Sequence, residues 1–286
     1  MTASVIDTIK GRFSCRTYSG EPLGEAAREK LAAAVASMDT GPFGSRLRFS
    51  LAAADTKDTA ALKRLGTYGT IRGAAAFIIG AAEPGPMYLE DFGHSMERLV
   101  LAATDLDLGT CWIGGFFRRG RFSRHIALSR AERIPAVASV GLILDREKAE
   151  DGLIRRRAGG SRRKPWQDLF YDGDFGTALA AENAGPWVTP LEMVRLAPSA
   201  SNRQPWRIVR SGTSWHFFIH RTPDYPPRIG RMLMGIEDLQ RVDSGIAMCH
   251  FELSARELGL PGRWIVHPPA ISAPDALTQY SATWEG

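Results

Sequence analysis

Asp91-Phe92-Gly93-His94-Ser95-Met96 opens a stretch that runs to Trp112, and Asp243-Ser244-Gly245-Ile246-Ala247-Met248 opens one that runs to Trp264. From 91 to 243 and from 112 to 264 the offset is a constant 152 residues, so the two align without a gap. Asp91/Asp243, Gly93/Gly245, Met96/Met248, Leu101/Leu253, Ala103/Ala255, Leu106/Leu258, Leu108/Leu260 and Trp112/Trp264 are identical. Both copies carry apolar residues three and four apart, the mark of a long and mostly buried helix. Each then runs into a short apolar segment that reads as a strand. Amphipathic helices share such periodicity by chance, but periodicity does not dictate matching Asp, Gly and Trp positions. The pattern reads as an internal duplication.

Working outward, the first half predicts a short N-terminal helix, a helix over Gly24 to Ser37, and a strand near Arg48 to Ala54. A helix from Thr59 to Leu65, a strand over Ala74 to Ala81, the long helix, and a strand near Val137 to Leu144 follow. The second half predicts a helix over Pro190 to Leu196, strands near Trp206 to Val209 and Trp215 to Ile219, the second long helix, and a strand near Arg263 to His267. Alternating helices and strands in both halves indicate an α+β protein with a mixed sheet. The expected organisation is two tandem degenerate repeats, residues 1–175 and 176–286, packed as one globular unit. The aromatics Trp166, Phe170, Tyr171 and Phe175 make the joining segment from Gly159 to Ala184 a packed arm.

At 286 residues the chain suits one large domain or two small ones. No signal-peptide core is apparent over Met1 to Phe13. The longest small-and-apolar run, Gly73 to Ala82, is far short of a membrane helix and reads as a buried strand. Cys15, Cys111 and Cys249 form no C-x-x-C pair, which points to a reducing, cytoplasmic setting. His216 and His220 lie four apart in strand-like sequence with no third metal ligand nearby, so no metal site is expected. The net charge of +5 comes with basic clusters at Arg118-Arg119-Gly120-Arg121, Arg155-Arg156-Arg157 and Arg162-Arg163-Lys164. No nucleic-acid-binding signature accompanies them. A small phosphorylated ligand is the better partner for a few of these arginines, and solvated surface accounts for the rest.

The halves differ where ligands would be held. Ala197-Pro198-Ser199-Ala200-Ser201-Asn202-Arg203-Gln204-Pro205-Trp206 is dense in small polar residues between two prolines. It suits a rigid loop presenting polar groups and amides to a flat ligand; a helix end running into a turn is the plainer reading. The equivalent stretch of the first half, Met38 to Gly44, has no Asn or Gln. Conversely, only the first half has Arg12-x-Ser14-x-Arg16. Alternation puts those three side chains on one side of an extended segment, suited to a phosphate. Arg162 and Lys164 repeat the spacing, and for both pairs a surface ion pair is the alternative. Gly114 and Gly115, after Leu108 to Ile113, let backbone approach a flat ring closely, or simply form a turn. Trp112 reads as core.

Together these motifs resemble the nitroreductase family, flavoproteins that bind FMN between two subunits. The resemblance spans nearly the whole chain read as two copies, and it implies a fused pseudo-dimer with one complete flavin site at the seam. It places Arg12, Ser14, Arg16, Arg162 and Lys164 around the ribityl phosphate. Pro198, Ser199 and Asn202 would face the ring from the second half, with Gln204 supporting the loop or reaching the ring. Gly114 and Gly115 match the backbone donor to flavin N5, and Thr67, Tyr68 and Gly69 the pyrimidine side. The carboxylate often found near the glycine pair is Gly114 here, and the loop's second serine is Ala200. The implied activity is hydride transfer from NAD(P)H through flavin N5 to a nitro compound, quinone or similar acceptor. No catalytic side chain is nominated, and no G-x-G-x-x-G fingerprint provides a nicotinamide domain. Arginines from Arg118 to Arg124 are candidates to favour a 2′-phosphate. A flavin-binding protein without turnover and a related dehalogenating or flavin-cleaving enzyme are the alternatives. A fused pseudo-dimer is expected to be a monomer, with small molecules as its partners and neither nucleic acid nor membrane among them.

Overall fold

The computed structural model describes residues 4–53, 62, 65–115, 117–144, 162–225 and 235–286. Most of the helix expected over Thr59 to Leu65, and the Arg155-Arg156-Arg157 cluster, lie outside the described residues. Six α-helices are described: α1 (Val5–Gly11), α2 (Glu25–Ala36), α3 (Tyr88–Asp105), α4 (Arg119–His125), α5 (Val188–Leu196) and α6 (Leu239–Glu257). Strands β1 (Leu47–Ala53), β2 (Ala76–Ala82), β3 (Leu108–Ile113) and β4 (Val137–Leu142) form an antiparallel sheet in the order β1-β2-β4-β3. A second sheet is built from β5 (Phe170–Asp172), β6 (Trp206–Ser211), β7 (Ser214–His220), β8 (Arg263–Ile265) and β9 (Thr278–Glu285). Its order is β5-β6-β7-β9-β8, with only the β5–β6 pairing parallel. The mixed sheet expected from sequence is therefore two sheets.

The two long helices α3 and α6 pack between the sheets. Phe92, Met96 and Val100 of α3 and Ile246 and Phe251 of α6 join one core that reaches Ile78 and Val140 on one side and Trp206, Phe217 and Trp284 on the other. The glycines set how closely the helices approach. A Cβ on Gly93 would collide with the Val242 carbonyl oxygen, and one on Gly245 with the Glu90 carbonyl oxygen. These contacts are reciprocal, because 90 and 242 are also 152 apart. Backbone carbonyls cannot swing aside as a side chain can, so both positions require glycine.

β2 is buried along its whole length, with Phe77 and Ile79 meeting a second apolar cluster around Phe117, Phe122 and Ile126. That two-sided burial explains its unbroken apolar sequence. The joining arm contributes β5 to the second sheet, and Trp166 donates its indole N–H to the Leu179 carbonyl at 2.7 Å.

Candidate functional site

After α1 ends at Gly11 the chain extends, with Arg12 at φ −71° and ψ 131°. Ser14 then bridges in parallel to Thr110 of β3, and the Cys15 N–H donates to the Thr110 carbonyl at 2.8 Å. Pairing along β3 enforces the extended geometry that the alternation implied. Arg12, Ser14 and Arg16 all reach one cavity of about 530 Å³. Phe13, Cys15 and Tyr18 form a separate apolar cluster that anchors the segment.

α5 stops at Leu196, two residues before Pro198, and Ala197 takes the extended conformation favoured before proline. Ser201, Asn202 and Gln204 then adopt φ of 50°, 53° and 48°, the left-handed region that non-glycine residues avoid. Such conformations persist only where surroundings impose them, and here three sets of bonds do so. The Ser199 hydroxyl accepts from the Gln204 N–H at 2.8 Å. The Asp243 Oδ1 accepts from the Ala200 N–H at 2.9 Å. The buried Gln204 amide ties the loop to the arm, its Oε1 accepting from the Lys164 N–H at 2.8 Å and its Nε2 donating to Arg162 O and Asn202 O.

Pro198, Ser199 and Asn202 line the same cavity as Arg12, Ser14 and Arg16. The arm contributes Arg163 to the wall. Its guanidinium donates to Leu196 O at 3.0 Å and to Asn202 Oδ1 at 3.4 Å. Arg162 and Lys164, named from sequence, are not on this wall. In an extended chain alternate residues face opposite sides, and here the middle residue points inward. Arg162 instead offers its carbonyl to Asn202 and Gln204. Lys164 lines a separate cleft with Arg207, Asp168 and His220, where burial and then the nearby Arg207 push its ammonium down to about 8. Gln204 supports the loop from behind.

Gly114 and Gly115 both border the cavity. A Cβ on Gly114 would strike the Leu239 side chain, whereas one on Gly115 would make only ordinary contact with Ile236. Gly114 thus makes room for α6 as well as for a ligand. Thr67 and Tyr68 do not line this cavity, and their neighbours Thr70 and Ile71 do. Tyr68 lines a separate cavity with Phe117 and Arg118.

Sequence reasoning missed the contribution of α6: Leu239, Val242 and Ile246 line the cavity with Ile113 and Ile236 as its apolar part, and Asp243 lines it beside them. Asp243 is 2% exposed, and its Oδ2 has no hydrogen-bond partner among the described residues. Burial raises its carboxyl well above the usual range, outweighing the Ala200 hydrogen bond. Its counterpart Asp91 has both oxygens satisfied, by the Phe43 and Ser45 N–H groups at 2.8 and 2.9 Å. The shared Asp was legible in the repeat; its role as loop anchor was not.

Behind the cavity, Glu97 accepts from the Trp112 indole N–H at 2.6 Å and meets His250 Nε2 at 2.9 Å, with the Arg12 guanidinium 3.7 Å away. Glu252 likewise accepts from the Trp264 indole N–H at 2.9 Å and meets His94 Nε2 at 2.9 Å. Each tryptophan therefore bonds a glutamate of its own long helix, and each glutamate meets a histidine of the other helix. Burial pushes Glu252 up, but hydrogen bonds and charge from His94 and Arg256 together hold it down to about 2.

Cys111 borders the cavity, and burial raises its thiol despite Arg16 and Arg12, which disfavours the reactive thiolate. Among the described residues no group of three or more His, Cys, Asp or Glu could hold a metal ion. His216 and His220 pair with the cross-strand hydroxyls of Thr283 and Thr278. No helix among the described residues is long and apolar enough to cross a membrane.

No curated protein matches the chain. A solved structure from Thermotoga maritima described as a "putative nitroreductase" covers 99% of this chain and 94% of its own, at 19% identity and a TM-score of 0.61. That likeness establishes a shared fold across both halves. An oxidoreductase containing FMN matches 61% of this chain and 93% of its own at 18% identity and a TM-score of 0.48. A nitroreductase with bound FMN from Desulfitobacterium hafniense matches 51% and 92%, at 20% identity and a TM-score of 0.40. The family model described as "Putative TM nitroreductase" matches residues 4–255, which takes in the extended arginine segment, the cavity and the α3–α6 crossing, and the chain therefore belongs to that nitroreductase family.

Proposed function

We propose that this protein is an FMN-dependent oxidoreductase with one flavin site per chain, at the seam between lobes 1–175 and 176–286 of a fused pseudo-dimer. The observation that carries the reading is the one cavity that Arg12, Ser14 and Arg16 line together with Pro198, Ser199 and Asn202. The duplication is supported by the reciprocal glycine contacts, by Asp91 and Asp243 each anchoring the corresponding loop, and by the paired Trp–Glu–His sets.

The donor set fits the cofactor. About 530 Å³ is within the range of small-molecule sites, roughly 300–1,000 Å³. Arg12, Arg16 and Arg163 bring three guanidiniums to the wall and Asp243 its one lining carboxylate, whose pKa burial raises. Those arginines with Ser14 would hold a phosphate, while Ile113, Ile236 and Leu239 would cover a flat ring and exclude water. Gly114 and Gly115 leave backbone open to the ring, and the loop offers it Pro198, Ser199 and Asn202. Bound there, FMN would supply the hydride-accepting and hydride-donating chemistry that links NAD(P)H to a nitro compound, quinone or similar acceptor. The side chains bind and orient; none is assigned a proton-transfer or nucleophilic role. We further propose that the chain acts as a monomer.

The test is to titrate the protein with FMN and then with NADPH or NADH plus a nitroaromatic or quinone. Arg16→Ala, which removes a charge-assisted hydrogen bond of roughly 1.5–3 kcal/mol, should weaken FMN binding about 10- to 100-fold. A bound flavin that stays oxidised under excess reduced nicotinamide would reduce the protein to a flavin carrier.

A further inference from the structure

A separate cavity, of about 350 Å³, has no part in the flavin reading. Consecutive residues of the arm divide between the two sites: Arg163 lines the larger cavity and Lys164 this one. The Lys164 backbone N–H is held by Gln204 Oε1 at 2.8 Å, so its side chain leaves the arm at a fixed point. Arg207 lines the cavity from the start of β6 and His220 from the end of β7, strands that pair in antiparallel register.

Among the described residues neither Lys164 nor Arg207 forms an ion pair. The Arg207 guanidinium donates to the Gln204 and Trp206 carbonyls at 3.2 and 2.7 Å. Two carboxylates also line the cavity, Asp168 and Asp275, both on exposed residues. Asp275 is engaged in its own turn: its Oδ1 accepts from the Leu277 N–H and the Thr278 hydroxyl at 3.0 and 2.9 Å, and its Oδ2 lies 3.8 Å from His220 Nδ1. The cations prevail over both. Burial lowers the Lys164 ammonium and the His220 imidazole; next in weight is the Arg207 charge, which exceeds that of Asp168 at Lys164 and that of Asp275 at His220. Tyr171 beside Arg207, and Arg203, complete the charged and titratable surroundings.

A site whose own cations repel one another is relieved by a bound anion. Lysine offers three donors and arginine a fork, a set suited to a group with several oxygens. Tyr171 and Phe175, with ring centres 5.2 Å apart, and Pro274 add an apolar flank. We infer that this cavity binds the phosphate group of a small ligand, with Lys164 and Arg207 as its cationic contacts and His220 beside them. The volume sits at the low end of the range of small-molecule sites, roughly 300–1,000 Å³, so the occupant is small. The inference does not depend on the flavin reading.

The experiment is calorimetric titration at pH 8 with phenyl phosphate, inorganic phosphate and benzoate, on the wild type, Lys164→Met and Arg16→Ala. Methionine keeps most of the stem of this half-buried side chain and leaves the backbone bond to Gln204, so the variant should fold, which thermal unfolding checks. Lys164→Met should weaken both phosphates about 10- to 100-fold, whereas Arg16→Ala should bind them within about threefold of wild type. Benzoate, a single-charged aromatic anion, should bind at least about tenfold more weakly than phenyl phosphate. Tighter binding of phenyl phosphate than of inorganic phosphate assigns an esterified ligand, and the reverse order free phosphate. Binding that survives Lys164→Met, or is lost in Arg16→Ala instead, would overturn the inference, as would benzoate matching phenyl phosphate. A second readout on the wild type needs no variant. A phosphate monoester, with its second pKa near 6, is already dianionic at pH 8, so protons taken up on binding report the protein. With its ammonium held down to about 8, Lys164 should recharge beside the anion, taking up roughly 0.3–0.5 proton per site in buffers of different ionisation enthalpy. Binding without proton uptake would place the phosphate elsewhere and overturn the inference.

Discussion

Replacing Gln204 should both loosen the loop from Pro198 to Gln204 and weaken cofactor binding. The side chain is 3% exposed, and its amide makes four bonds: from the Lys164 N–H at 2.8 Å, and to Arg162 O, Asn202 O and Asn202 Oδ1 at 3.3, 3.2 and 3.2 Å. Gln204→Ala leaves the Lys164 donor without its partner, at a cost of about 1–3 kcal/mol. The loop also loses its buried ties to the arm, keeping only those of Asn202 to Arg162 and Arg163, while Ser201, Asn202 and residue 204 remain at positive φ. Strained residues of this kind cost on the order of 1–3 kcal/mol each, so a released loop relaxes away from the cavity. Cofactor binding must then reorder it, which at about 1.4 kcal/mol per decade should raise the FMN dissociation constant roughly 10- to 100-fold. Gln204→Glu should not rescue, because a carboxylate keeps the acceptor for Lys164 but turns an acceptor toward the three oxygens of Arg162 and Asn202. Fluorescence-quenching titration with FMN gives the affinity, and circular-dichroism melting gives the stability. FMN affinity within threefold of wild type in Gln204→Ala, with an unchanged melting temperature, would refute the reasoning.

Gly245→Ala should destabilise the chain by about 1–3 kcal/mol or more, since the new methyl meets the Glu90 backbone and forces α3 and α6 apart; an unchanged urea midpoint would contradict that packing. Asp243→Asn keeps an acceptor for the Ala200 N–H and removes a carboxyl whose folded pKa is raised by burial. A raised carboxyl loses stability as pH rises above its unfolded value near 4, so the variant's advantage over wild type should grow from pH 4 to pH 8 in urea unfolding. Glu252 is the opposite case, held down to about 2. Its contribution is full above pH about 4.5 and fades as pH falls toward 2. Glu252→Gln should therefore cost roughly 2–3 kcal/mol at pH 7 and progressively less toward pH 2.

The parts of this fold that announce themselves are those with local cause. The α3 and α6 helices follow from their 3.6-residue periodicity, and β2 from its continuous apolar run. The extended Arg12–Arg16 segment follows from alternation, and the structure supplies the β3 partner that holds it so. β9 was missed although it is central in the second sheet, between β7 and β8. Its sequence, Thr278-Gln279-Tyr280-Ser281-Ala282-Thr283-Trp284-Glu285, mixes small polar residues with aromatics, and its buried threonine at 283 bonds the distant His216 as well as nearby Tyr280. The same limit applies to the site. Arg163, not Arg162 or Lys164, faces the cavity because the arm's register is fixed by Gln204, forty residues away in sequence. Asp243, Leu239 and Ile236 became visible only once α6 was placed against Gly114. Alternation gives the period of an extended segment, whereas its phase is decided by tertiary contacts.

The most direct test of the central claim is the flavin stoichiometry of the purified, fully loaded chain, measured from the visible spectrum with the released cofactor identified and the particle sized in solution. A seam site built once, from Arg12–Arg16 of one half and Pro198–Gln204 of the other, predicts one FMN per chain in a monomer. A colourless protein that takes up no FMN, or two flavins per chain, would contradict it.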